Sequence, residues 1–169
     1  MKITHILVIC SLIVASVLIA GCGGEARIAQ DGNQVSVHYV GTLDDGMQFD
    51  SSRDRGAPLS FVVGAGEMIA GFDNAVKGMK VGETKTVRLL PEEAYGAYNE
   101  ELLIEFSRDE LPEGMENPQV GDLVVLSLQT GGMVQKPIVE VTDTYIIVDA
   151  NHELAGEALT FEIELLSVE

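Results

Sequence analysis

The run Val62-Val63-Gly64-Ala65-Gly66-Glu67-Met68-Ile69-Ala70-Gly71-Phe72-Asp73 carries three glycines within eight residues. Glycine accepts φ > 0 and lets other backbone come close, so this stretch predicts a sharp bend that enters a short helix. Phe72, Val76 and Met79 follow at i, i+4 and i+7, the spacing of one helix face. A helix laying that stripe on a sheet accounts for Val76 and Met79. It accounts less well for Met68 and Ile69, which fall in the bend before the stripe is established. Exposed backbone N–H groups beside large apolar side chains are what the rim of a rigid apolar pocket requires.

Residues 3–20 are almost wholly apolar and follow Lys2. A basic start, an apolar run and small residues at its end predict an export signal over 1–21. A retained transmembrane helix is the alternative that the length also allows. The ending Leu18-Ile19-Ala20-Gly21-Cys22 resembles a lipobox, the processing signal of lipoproteins. That resemblance implies cleavage before Cys22, lipid on its sulfur, and anchoring to a membrane of the cell envelope outside the cytoplasm. Cys10 would leave with the leader and Cys22 would carry lipid. The mature chain would then hold no free thiol, which excludes a cysteine nucleophile, a disulfide framework and a thiolate metal site. Residues 22–31, small and polar for the most part, read as a tether.

Beyond the leader the roughly 147 remaining residues suit one ordinary domain, or one with a smaller insert. The chain has 10 Lys and Arg, one of them Lys2, against 27 Asp and Glu, which leaves a mature net charge of −18. A nucleic-acid partner is excluded on that balance.

Val35, Val37 and Tyr39 alternate with Ser36 and His38, the mark of a half-buried strand. Asp44-Asp45-Gly46 is a turn signal. Leu59, Phe61 and Val63 alternate again and lead into the glycine bend. Thr84 to Leu90 reads as a strand stopped by Pro91. The character then changes. Leu102, Ile104 and Phe106 alternate with polar residues, and strands are expected at Leu123 to Leu128, Ile138 to Val141 and Tyr145 to Val148. Thr130 to Met133 reads as a turn. A last strand, Leu159 to Val168, returns after this block, the pattern of an insertion into a parent domain; one larger β domain is the alternative.

Little covalent or metal chemistry is legible. The mature chain has two histidines, His38 and His152, in no ligand spacing. No Gly-x-Ser-x-Gly turn occurs, and Gly64-x-Gly66 has neither the third glycine nor the Lys of a phosphate loop. What remains is a set of aromatic residues: Tyr39, Phe49, Phe61, Phe72, Tyr95 and Phe161.

Five blocks resemble the FK506-binding proteins, the FKBP-type peptidyl-prolyl isomerases. They are Val37-His38-Tyr39-Val40-Gly41, Phe49 to Arg55, Gly66 to Phe72, Ala94-Tyr95-Gly96 and Phe161 to Leu166. The resemblance implies an α+β fold, a bent antiparallel sheet around one short helix, over 32–98 and 151–169. Residues 99–150, left through Asn151 to Gly156, resemble the insert-in-flap domain of the SlyD-like branch, a small all-β domain that holds unfolded chains. Carried over by position, the implied catalytic residues are Tyr39, Phe49, Asp50, Tyr95 and Phe161. The implied substrate-binding residues are Arg55, Leu59, Phe61, Glu67, Met68, Ile69 and Phe72. Phe72 stands where the family often has Trp, and Leu59 where an aromatic is common. No histidine-rich tail is present, so nickel delivery is not implied. The expected activity is cis/trans isomerisation of X–Pro bonds joined to a chaperone role toward exported proteins, without cofactor or metal, by a monomer whose partners are proline-containing unfolded chains. A lipid-anchored holding chaperone with a weak isomerase pocket is the alternative.

Overall fold

In the computed structural model, residues 27–111, 114–127 and 131–169 are described. The expected leader, Cys22 and its lipid, and Leu128 lie outside them. Among the described residues, nine strands and one α-helix follow in order. They are β1 (Gln34–Leu43), β2 (Gln48–Ser51), β3 (Leu59–Val62), α1 (Ala70–Val76), β4 (Thr84–Leu89), β5 (Leu103–Ser107), β6 (Leu123–Ser127), β7 (Met133–Val141), β8 (Tyr145–Asp149) and β9 (Leu159–Val168).

The first sheet is antiparallel, in the order β2-β1-β9-β4, with β3 also paired to β1. Val35, Val37 and Tyr39 of β1 face the core, and so do Leu159, Phe161, Ile163 and Leu165 of β9. This is the period-2 alternation of a sheet with one buried face. A bulge opposite Ser36 and Val37 resets the phase of β9, so Val168 is buried as well.

One edge of β1 is shared. β3 pairs with Gln34–Val37 and β2 with Val40–Thr42, which leaves His38 and Tyr39 without a strand opposite. Ser52 fills the gap. Its N–H donates to the Tyr39 carbonyl at 3.1 Å, and its hydroxyl accepts from the Tyr39 N–H at 2.8 Å. His38 Nδ1 lies 3.0 Å from the same hydroxyl, so this histidine is tied into the sheet.

Helix α1 buries Phe72, Ala75 and Val76 against the sheet. It ends sooner than the i, i+4, i+7 stripe predicts. Gly78, at φ +83°, turns the chain, and Met79 reaches the core from beyond the helix. The end of the expected tether is also docked. Ala29 is buried, its N–H donates to the Met79 carbonyl at 2.9 Å, and Ile28 bridges Lys80. One small apolar residue with no periodicity gives no sequence signal for this.

The second sheet is antiparallel in the order β5-β8-β7-β6, around a small core of Val124, Ile138, Ile146 and Val148. β7 begins at Met133, where the sequence predicts a turn, and runs through Pro137. Its first half pairs with β6 and its second half with β8. The two sheets are joined at a clasp. The buried Asn151 side chain accepts from the Asn99 N–H at 3.0 Å and donates to the Asn99 carbonyl at 2.9 Å, as a strand would. Burial pushes the neighbouring Asp149 carboxyl up. Hydrogen bonds from Asn151 and Tyr98 and the charge of Lys136 outweigh it and hold Asp149 below the usual range. The architecture is α+β: an antiparallel sheet on one short helix, followed between β4 and β9 by a second, all-β sheet.

Ser52→Ala removes the acceptor for a buried Tyr39 N–H. The expected loss is about 1–3 kcal/mol of unfolding free energy, read from the urea midpoint at unchanged slope. An unshifted midpoint would show that the hydroxyl does not bridge this gap.

Candidate active site

The glycine bend is built by backbone that only glycine takes easily, with Gly64 at φ +78° and Gly66 at φ +74°. The Asp73 carboxylate accepts from the Gly64 N–H at 2.9 Å, and the Glu67 carboxylate from the Val62 N–H at 3.2 Å. These bonds brace the bend from both sides. Met68 and Ile69 are thereby left at its top, half-buried against the main core.

Below them lies a cavity of about 270 Å³ lined by Tyr39, Phe49, Asp50, Leu59, Glu67, Met68, Ile69, Phe72, Tyr95 and Phe161. Each lining residue comes from a different local cause. β9 brings Phe161 to the centre of the sheet, and α1 lays Phe72 on it, edge to face at 5.1 Å between ring centroids. Tyr39 meets both rings, at 5.5 Å and 6.0 Å. Phe49 owes its direction to a bulge. Gly41 pairs with Asp50 and Thr42 with Gln48, so Phe49 has no partner on β1 and its ring turns to Phe161 at 5.7 Å.

One wall is polar. The Tyr39 hydroxyl donates to Asp50 and accepts from Arg55 Nη2 at 2.6 Å, and Arg55 is ion-paired with Asp50. Burial, opposed by the Arg55 hydrogen bond and aided by Asp50, pushes the Tyr39 hydroxyl above the ordinary tyrosine range. It is therefore a fixed donor at neutral pH. Two further donors are unspent. The Tyr95 hydroxyl and the Ile69 N–H make no hydrogen bond with any described residue. Both residues line the cavity.

Ten of the twelve residues carried over by position from the family resemblance line this cavity. Arg55 and Phe61 do not. Arg55 acts on Asp50 and Tyr39 from outside, its Cζ 5.4 Å from the Tyr39 ring. Phe61 is buried behind Phe72, its ring 5.9 Å away. Two further participants make contacts that the sequence did not reveal. Gly41 leaves the space into which Phe49 packs, and His152 stacks on Tyr95. Neither contact lies at a spacing along the chain that could reveal it. Among the described residues no group of His, Cys, Asp and Glu is placed to hold a metal ion.

The first sheet and α1 thus enclose a cavity lined mostly by aromatic and aliphatic side chains, with one closed polar wall. Residues 25–166 match the family described as FKBP-type peptidyl-prolyl cis-trans isomerase. The chain is 37% identical to the short-type peptidyl-prolyl cis-trans isomerase of Methanocaldococcus jannaschii, over 85% of this chain and 96% of that one. It is 34% identical to the FKBP-type 16 kDa peptidyl-prolyl cis-trans isomerase of Escherichia coli K12, over 83% and 93%. It is 36% identical to the FKBP-type peptidyl-prolyl cis-trans isomerase SlyD of Yersinia pestis, over 79% and 67%. The chain belongs to the FKBP-type peptidyl-prolyl cis-trans isomerase family, and its activity is isomerisation of the X–Pro bond.

A β-carbon on Gly41 would sit 2.6 Å from Phe49 Cζ and 3.1 Å from Phe161 Cε1. Gly41→Ala must displace the Phe49 ring that lines the cavity. The expected result is a folded protein whose kcat/KM on a prolyl peptide falls about tenfold or more, a loss of ~1.4 kcal/mol in transition-state stabilisation. Full activity in the folded variant would place the proline elsewhere.

Proposed function

We propose that this isomerase is a lipid-anchored folding helper in which the aromatic pocket twists X–Pro amides and the second sheet holds unfolded clients. Rotation about the X–Pro bond faces a barrier near ~20 kcal/mol because it breaks C–N resonance. No new bond is needed, only tighter binding of the twisted amide than of the planar one. The twisted amide carries less charge on its oxygen, so an apolar pocket favours it relative to water. Phe49, Ile69, Phe72 and Phe161 surround the proline ring in this reading, and Tyr95 and the Ile69 N–H donate to substrate carbonyls. Asp50 shapes a wall through Tyr39 and Arg55. It is not a general base, since no proton moves.

The observation that carries the holding role is an open apolar concavity on the second sheet. It measures about 640 Å³ and is lined by Leu102, Ile104, Phe106, Val125, Leu126 and Val134, among others. Leu102 is 40% exposed, Ile104 36% and Val125 55%, far more than a finished core leaves open. β5 and β6 are the edge strands of this sheet, so an extended client has backbone to pair with beside an apolar trough. The anchor rests on the lipobox resemblance at Leu18–Cys22.

Replacing residues 99–150 by a short Gly-containing loop is expected to leave small prolyl peptides isomerised within about tenfold of the parent, since the two ends meet at the Asn99–Asn151 clasp. Suppression of aggregation of a denatured client, and catalysed refolding of a whole protein, should fall much further. A shortened protein that folds and protects clients as well as the parent would end the holding role. For the anchor, Cys22→Ser should abolish metabolic labelling with a lipid and release the protein from membranes. Membrane attachment that survives the substitution would point to a retained transmembrane helix.

A further inference from the structure

Tyr95 differs from the other aromatic residues of the pocket in how it is held. Tyr39, Phe72 and Phe161 are all buried, wedged between the sheet and α1. Tyr95 is 39% exposed and sits on an irregular segment after β4, followed by Gly96 at φ +85°. A half-exposed tyrosine on such a segment has rotamers to choose from, and burial does not choose for it.

What lies on its ring is the imidazole of His152. The two ring centroids are 3.8 Å apart and the planes differ by 4°. His152 is exposed and is held by its own turn, not by burial. Its Nδ1 accepts from the Leu154 N–H at 3.1 Å, and Leu154 packs against the main core. Asn151, next to it, is clamped on the Asn99 backbone. The same turn reaches back beside Tyr95 itself, where the Gly156 N–H donates to the Gly96 carbonyl at 2.8 Å. The segment bearing Tyr95 and the turn bearing His152 are thus locked in register, with one ring flat on the other.

We propose that His152 is a positioning residue of the isomerase: its ring, fixed by the exit turn of the second sheet, holds the Tyr95 hydroxyl at the mouth of the prolyl pocket. The inference rests on the reading of Tyr95 as a donor to the substrate carbonyl. It assigns His152 no contact with substrate and no proton transfer. It also gives the turn after β8 a place in catalysis, although that turn carries no residue of the pocket lining.

The two properties of His152 can be separated by substitution. His152→Phe keeps a flat ring and loses the Nδ1 acceptor. His152→Asn keeps a short polar acceptor for the turn and loses the ring. The readout is kcat/KM for a prolyl tetrapeptide, with the urea midpoint measured on each variant. Tyr95→Phe should lower kcat/KM by about tenfold, and His152→Ala by about fivefold, the weight of one aromatic pair expressed as a rate. His152→Phe should recover to within about twofold of the parent, while His152→Asn stays near the alanine value. In a Tyr95→Phe background the further loss from His152→Ala should shrink below about twofold, because the hydroxyl being positioned is already gone. Recovery by Asn and not by Phe would overturn the proposal and make His152 an anchor of its own turn. An undiminished His152→Ala effect in the Tyr95→Phe background would overturn it as well. So would full activity of His152→Ala. If Tyr95→Phe alone retains full activity, the donor role of Tyr95 fails, and the positioning role fails with it.

Discussion

The pairing of β1 with β9 is the contact on which the rest of the structure depends. These two strands run side by side over most of their length at the centre of the first sheet. One stands near the start of the described chain and the other at its end. Their core-facing residues, from Val35 to Tyr39 on β1 and from Leu159 to Val168 on β9, form most of the sheet's buried contribution to the core. Until β9 arrives, β1 and β4 have no common neighbour, and neither the core nor the floor of the cavity exists. Non-local pairing of this kind must offset the entropy of closing a long loop before it stabilises anything.

That arrangement explains how the chain tolerates a second sheet between β4 and β9. The insertion enters and leaves at one place, where the Asn151 side chain pairs with the Asn99 backbone in both directions. A side chain that imitates a strand neighbour satisfies both backbone groups of Asn99 at the point where the real ladder has ended. The loop that β9 must close is longer in residues, but its ends are fixed together, so the added entropic cost is modest. The same closure sets Tyr95, before the insertion, beside His152, after it.

The cavity has a division of labour that follows from burial. Rings held by the sheet and α1 give it a rigid apolar floor, which suits a reaction that needs a favoured geometry and no proton transfer. The polar wall of Tyr39, Asp50 and Arg55 is closed on itself, each group satisfied by the other two. Among the described lining residues, the Tyr95 hydroxyl and the Ile69 N–H remain without a partner.

Much of this was legible along the chain. Alternation placed the strands, because a sheet with one buried face imposes period 2 on any sequence that forms it. Gly64 and Gly66 marked the bend, because few other residues take positive φ cheaply, whereas Gly71 lies in α1, where a side chain would meet Leu89. Positions carried over from the family resemblance singled out twelve residues, ten of which line the cavity. Other features had no one-dimensional trace. Met79 reads as helix by spacing, yet the chain has already turned at Gly78. Met133 reads as a turn, yet β6 recruits it as a strand partner. The direction of Phe49 depends on a one-residue bulge, Ser52 on a gap between two strands, and the stack of His152 on Tyr95 on the closing of the insertion. Local preference and periodicity are properties of neighbours in sequence, so the sequence alone indicated most of the strands, the bend, the start of the helix and which side chains are aromatic. Which rings meet, which leave a donor free and which hold another in place are properties of neighbours in space, and only the folded chain decided them.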